Sequence, residues 1–227
     1  EKGKLWVGTA TSGVMVLDAQ LKPIKYLQKQ SGHLSSDKVT DLLNGPDSNI
    51  WVCTQEGVSV MNSGTFTNMQ NKAYPMLSAF ASKYIFSGWM QSTQHLWLGT
   101  DSGALRLDMR TKTITKHITT RNGLLQNRVS FLGGDSSGNV YLCSRNGFYK
   151  MTAGGKLQFF GTRQGLPNEI CLGVETDRNN QVWISNDNYL IRFSPADNKI
   201  KVFSGSSGIK AGGFRSGHLQ DSGGNMY

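Results

Sequence analysis

The sequence predicts an all-β fold, a β-propeller built of four-stranded blades. Three observations carry that prediction: a repeat of about 44 residues, an aromatic at the same place in every copy, and short apolar runs separated by Gly, Asn, Asp and Ser clusters. The repeat is read from the tryptophans. Lys4-Leu5-Trp6-Val7-Gly8-Thr9 aligns with Asn49-Ile50-Trp51-Val52-Cys53-Thr54 and His95-Leu96-Trp97-Leu98-Gly99-Thr100, then with Asn139-Val140-Tyr141-Leu142-Cys143-Ser144 and Gln181-Val182-Trp183-Ile184-Ser185-Asn186. Asn225-Met226-Tyr227 begins a sixth copy, and the aromatics at 6, 51, 97, 141, 183 and 227 are separated by 45, 46, 44, 42 and 44 residues.

Each unit divides into four strands. The inner strand is an apolar run such as Val129 to Leu132 or Ile170 to Val174, and it ends in a polar turn such as 134–139 or 177–180, whose residues tolerate positive φ and bond their own backbone. The aromatic strand comes second. A tight turn with Ser12-Gly13, Glu56-Gly57, Ser102-Gly103 or Asn146-Gly147 leads into the third strand, at Val14 to Leu17, Val58 to Met61, Ala104 to Leu107 or Phe148 to Met151. The fourth ends on an aromatic or apolar pair, as at Ile24 to Leu27, Leu157 to Phe160 and Ile200 to Phe203. No segment shows the 3.6-residue apolar period of a helical solenoid. A single blade leaves apolar faces open, so the aromatics are expected to pack between neighbouring blades. The unit between Asn62 and His95 is irregular: 68–75 replaces the usual Gly-Leu loop, and the next strand carries Trp89, which has no counterpart in the other copies. Such a departure accommodates either an added site or compensating packing.

The whole of 1–227 reads as one propeller region, with units starting near 4, 49, 95, 139 and 181 and a partial one at 225. With 37% hydrophobic residues it can bury a core, and no run reaches the length needed to cross a bilayer as a helix. The net charge of +9 suits an anionic partner. Because the 24 Lys and Arg are scattered singly, with no basic run and no helical reader, a nucleic-acid partner is not expected.

The segment Asn122-Gly123-Leu124-Leu125-Gln126-Asn127-Arg128-Val129, followed by Asp135-Ser136-Ser137-Gly138-Asn139-Val140-Tyr141, resembles the two-component regulator propeller repeat. Gln164-Gly165-Leu166-Pro167-Asn168-Glu169-Ile170, leading to Val182-Trp183-Ile184, is similar to it more closely. The resemblance covers essentially the whole chain and is clean in four of five units. It implies the periplasmic sensor portion of a hybrid two-component regulator in the inner membrane, an oligosaccharide as signal, and a kinase in domains that follow on the same polypeptide.

Catalytic and metal chemistry find little support. Cys53 and Cys143 fill the same small-residue slot of two blades, where a disulfide between them would be too long, and Cys171 lies in an inner strand, so all three are expected to be buried structural thiols. His33, His95, His117 and His218 fall in a loop, a turn, a strand and an inner strand without the spacing of a metal pair, and no cofactor is expected. Asp18 and Asp108 end equivalent third strands and read as turn formers. The expected ligand site is the blade mouth, where loops into the inner strands and turns between second and third strands carry Lys38, Tyr74, Arg128, Arg145, Arg163 and Arg215, with Asn127 and Asn168 beside them. Arginine forks suit carboxylate or sulfate, and an aromatic can stack on a sugar. The competing expectations are a lyase-type enzyme and a protein-binding propeller.

The fragment 225–227 would claim the position that Lys4-Leu5-Trp6 fills in a closed five-bladed ring. The expectation is therefore that the chain is part of a propeller of six to eight blades, with open ends that favour a homodimer.

Overall fold

The computed structural model describes residues 3–68, 74–80 and 83–208. Five antiparallel sheets follow one another along the chain, each ordered outward in sequence. Sheet 1 comprises β1 (Leu5–Gly8), β2 (Val14–Leu17) and β3 (Pro23–Leu27); sheet 2 comprises β4 (Val39–Asn44), β5 (Asn49–Thr54) and β6 (Gly57–Asn62). Sheet 3 has four strands, β7 (Ile85–Met90), β8 (His95–Thr100), β9 (Gly103–Asp108) and β10 (Thr113–Ile118). Sheet 4 is β11 (Phe131–Gly134), β12 (Val140–Ser144), β13 (Gly147–Met151) and β14 (Leu157–Phe160). Sheet 5 is β15 (Gly173–Thr176), β16 (Val182–Ser185), β17 (Leu190–Ser194) and β18 (Lys199–Phe203). These are the blades of a β-propeller.

Two sheets show three strands among the described residues. Sheet 1 starts at its aromatic strand, as its sequence does, and beyond β6 sheet 2 has one bridge, Met61 to Asn68. The inner strands begin two or three residues later than expected. In sheet 5 the Asn168 side chain accepts the Ile170 N–H at 3.0 Å and so diverts it from the ladder. The expected inner strand near 214–220 and the sixth copy at 225–227 lie outside the described residues.

The chain forms two compact units, 1–117 and 118–227. In the first, Val14, Val16 and Leu27 of sheet 1 pack on Ile50, Val52 and Met61 of sheet 2. Trp51, Cys53, Val58 and Val60 of sheet 2 in turn pack on Leu96, Leu98 and Leu107 of sheet 3. In the second unit Tyr141, Cys143, Phe148 and Phe160 of sheet 4 meet Val182, Ile184, Ile191 and Phe193 of sheet 5. The irregular segment serves packing: Tyr74 lies edge-on to Trp51 with ring centroids 4.8 Å apart, and the 3-10 turn Pro75–Phe80 buries Leu77 and Phe80 in the same cluster.

The cysteine expectation needs correction. Cys143 and Cys171 are joined in a disulfide, with Cα atoms 5.3 Å apart, and only Cys53 among the three is a free, buried thiol. Comparing Cys143 with its counterpart Cys53 overlooked the next blade, whose incoming chain runs beside β12. There the Cys171 N–H donates to the Ser144 carbonyl at 3.2 Å.

Candidate functional site

The loops that enter an inner strand share one construction. In 119–124 the Thr119 hydroxyl accepts the Arg121 N–H, Asn122 Oδ1 accepts the Thr119 N–H at 2.9 Å, and Gly123 leaves the 3-10 turn at φ 106°. The following Leu124 is buried. In 161–166 Gln164 Oε1 accepts the Gly161 N–H at 2.9 Å, Gly165 takes φ 104°, and Leu166 is buried. Positive φ is easy only for glycine, and the leucine anchors the loop, which is why Gly-Leu recurs. The arginine of each turn, Arg121 or Arg163, is exposed.

Beside the second of these loops lies a cleft of about 400 Å³ lined by Leu125, Asn146, Phe159, Gly161, Thr162, Arg163, Gln164 and Glu169. Its apolar part is Phe159, held in a tilted stack on Tyr149 with centroids 5.0 Å apart. Gly147 and Gly161 leave room for that ring, since a Cβ at Gly161 would stand 2.9 Å from its carbons. Tyr149 also fixes the opposite wall, its hydroxyl accepting the Leu125 N–H at 2.8 Å, and Leu125 presents a side chain that is 61% exposed. Around this floor stand a guanidinium, a carboxylate and two primary amides. Among the described residues neither Arg163 nor Glu169 forms an ion pair. The cleft offers donors, acceptors and an apolar surface together, which suits a ligand with one apolar face and a rim of hydroxyls.

The predicted site residues are partly gathered here. Arg163 lines the cleft, and exposed Arg145 precedes Asn146, which does too. Arg128 is half-buried on the loop into β11, and Lys38 is exposed before β4 in the first unit. Tyr74 is 7% exposed and its ring is committed to Trp51, so it offers no face for stacking. Arg215 lies outside the described residues. Asn127 and Asn168 brace loops: Asn127 Oδ1 accepts the Thr120 N–H at 2.9 Å, and Asn168 Oδ1 accepts the Asn186 amide at 2.8 Å. Phe159, Leu125, Gln164 and Glu169 escaped sequence reasoning. The available signal was alternation, because Phe160 is buried and its neighbour Phe159 must face the other way.

The expected turn roles hold. Asp18 Oδ1 accepts the Gln20 and Lys22 N–H groups, and Asp108 Oδ1 accepts those of Arg110 and Thr111. His95 begins β8, not a turn, and burial lowers its pKa from the ordinary value. Among the described residues no three His, Cys, Asp or Glu stand together as metal ligands.

Comparison with known proteins supports the same architecture. No protein-family model matches the sequence, and no curated protein matches it. Among solved structures it is similar to the extracellular domain of the hybrid two-component system BT4673 from B. thetaiotaomicron, with a TM-score of 0.75 and 14% identity over 90% of this chain and 30% of that one. It is also similar to that of BT3049 from the same organism, with a TM-score of 0.57 and 21% identity over 100% and 36% of the two chains. A catalytically inactive virginiamycin B lyase from Staphylococcus aureus gives a TM-score of 0.70 at 14% identity, over 96% and 70%. The chain thus spans about a third of the length of the extracellular domains it matches. Identities this low establish the fold, and the class is that of the β-propeller repeat proteins.

Proposed function

We propose that this chain is a ligand-sensing part of the extracytoplasmic region of a hybrid two-component regulator, that it binds an oligosaccharide, and that the signal passes to a kinase elsewhere on the polypeptide. The observation that carries ligand binding is the cleft beside Phe159, where an aromatic face is ringed by Arg163, Glu169, Asn146 and Gln164. The likeness to two extracellular domains of such systems supports the sensor role. The Cys143–Cys171 bond supports a periplasmic setting, since disulfides persist in oxidising compartments.

Calorimetry of the purified chain against neutral and acidic oligosaccharides tests the reading. A hit is expected to weaken by at least tenfold in Arg163→Ala, because a charge-assisted hydrogen bond to a ligand is worth about 1.5–3 kcal/mol. The exposed guanidinium contributes little to the fold, so melting is expected to stay unchanged. Unaltered affinity rejects the cleft as the site. Turnover of the sugar without stoichiometric binding would favour the lyase alternative.

A further inference from the structure

The surroundings of the Phe159 cleft differ in charge from the corresponding parts of sheets 2 and 3. The hairpins between second and third strands close on the pairs Thr54 with Gly57, Thr100 with Gly103 and Ser144 with Gly147, so Gln55-Glu56, Asp101-Ser102 and Arg145-Asn146 fill the same two positions. In sheets 2 and 3 those positions include an acid. Glu56 forms an ion pair with Lys29, on the loop into β4, and the two charges cancel. In sheet 4 the hairpin brings Arg145 instead, and the loops 119–128 and 161–170 add Arg121, Arg128 and Arg163 against one carboxylate, that of Glu169. Among the described residues Arg121, Arg145, Arg163 and Glu169 form no ion pair.

The polar rim is also weighted toward donors. Gln164 Oε1 is taken by the Gly161 N–H, which leaves the NH2 of that side chain, and the Arg163 guanidinium has donors alone. Opposite charges that line one cleft without pairing serve different parts of a ligand. An acidic group meets Arg163, whereas Glu169 accepts from hydroxyls and repels a second acidic group. The walls that carry these groups are braced. Cys171, just beyond Glu169 on its loop, is bonded to Cys143 of the strand that leads to Asn146, and Asn168 Oδ1 holds the same loop to the Asn186 amide.

We propose, resting on the oligosaccharide reading of this cleft, that it selects an acidic oligosaccharide with one anionic group on the recognised sugar. The sugar ring lies on Phe159, its anionic group on Arg163 within the field of Arg145, and its hydroxyls on Glu169. A uronate carboxylate and a single sulfate ester share that chemistry.

An array of uronate, singly sulfated, multiply sulfated and neutral oligosaccharides, probed with the purified chain, tests this and separates the two sources of charge. Binding is expected to a uronate or a singly sulfated glycan. Its matched neutral form, made by carboxyl reduction or by desulfation, is expected to bind about tenfold more weakly or worse, as the loss of a charge-assisted hydrogen bond requires. Rising salt should narrow that gap. Arg145→Asp, which gives the hairpin the acid that sheet 3 has at that position, is expected to leave melting unchanged, to weaken the charged glycan by about tenfold and to shrink the gap to its neutral form. Binding confined to neutral glycans, a neutral form that binds as well as its charged parent, or a preference for multiply sulfated glycans would overturn the proposal and leave the oligosaccharide reading in place. So would an Arg145→Asp variant that weakens charged and neutral forms alike. Failure of the folded protein to bind any glycan would overturn both.

Discussion

Six residues before the aromatic of a blade stands a side chain that serves two neighbours at once. Asp135 Oδ1 accepts the N–H groups of Ser137 and Asn139, closing the turn, while Oδ2 accepts the Tyr141 hydroxyl at 2.6 Å. Asp177 does the same for Asn179, Gln181 and the Trp183 indole, and Gln91 receives the Trp97 indole at 3.0 Å. In sheet 2 the place belongs to Gly45, because the Trp51 ring lies against it and leaves no room for a Cβ. The Tyr141 hydroxyl, desolvated by burial and bonded to Asp135, is pushed above the ordinary range for tyrosine. Asp135→Ala strands that buried hydroxyl and two turn amides. The expected cost is about 1–3 kcal/mol in urea unfolding, and Asp135→Asn should recover part of it.

The hairpin between second and third strands is the most regular element. Thr54 donates to the Gly57 carbonyl at 2.8 Å and accepts the Glu56 N–H, Thr100 treats Gly103 and Ser102 alike, and Ser144 treats Gly147 and Asn146 alike. Gly147 at φ 121° permits the turn, and any Cβ there would strike the Phe160 carbonyl oxygen. The turn after β9 depends on pH instead. Hydrogen bonds from the Thr111 backbone and the Gln94 side chain, then Arg110, lower the Asp108 pKa from 3.8 to about 2. A depressed carboxylate stabilises the fold above its unfolded pKa, and that contribution is lost as pH falls from about 4 through about 2. Unfolding of the wild type and Asp108→Asn, compared from pH 5 to 2, is expected to converge toward the acid end; a constant difference would remove the carboxylate from the account. These elements were legible because their residues recur at fixed offsets from an aromatic. The site was less so. Arg163 stood out as loop charge, but Phe159 acquires meaning only when Gly147 and Gly161, fourteen positions apart, are folded against its ring. Tyr74 misled because no repeat partner showed that its loop turns inward onto Trp51.

At the scale of the whole molecule, stability in such an array is a sum of sheet and nearest-neighbour terms, each interface contributing separately. The polarity of the interfaces was not readable from the repeat, since alternation shows that both faces are apolar but not which meets which. Nor was the crosslink, because the phase of the repeat aligns Cys143 with Cys53 and hides its neighbour Cys171. That crosslink has a mechanical consequence. Cys143 and Cys171 are 28 positions apart and enclose the whole of β13 and β14, so tension along the backbone passes through sulfur and bypasses both strands. In single-molecule stretching the enclosed segment is expected to contribute no length until a reductant is added. The same molecule should then lengthen by about 9 to 10 nm more, the extended span of the released residues. An equal contour with and without reductant would show the two sulfurs unbonded.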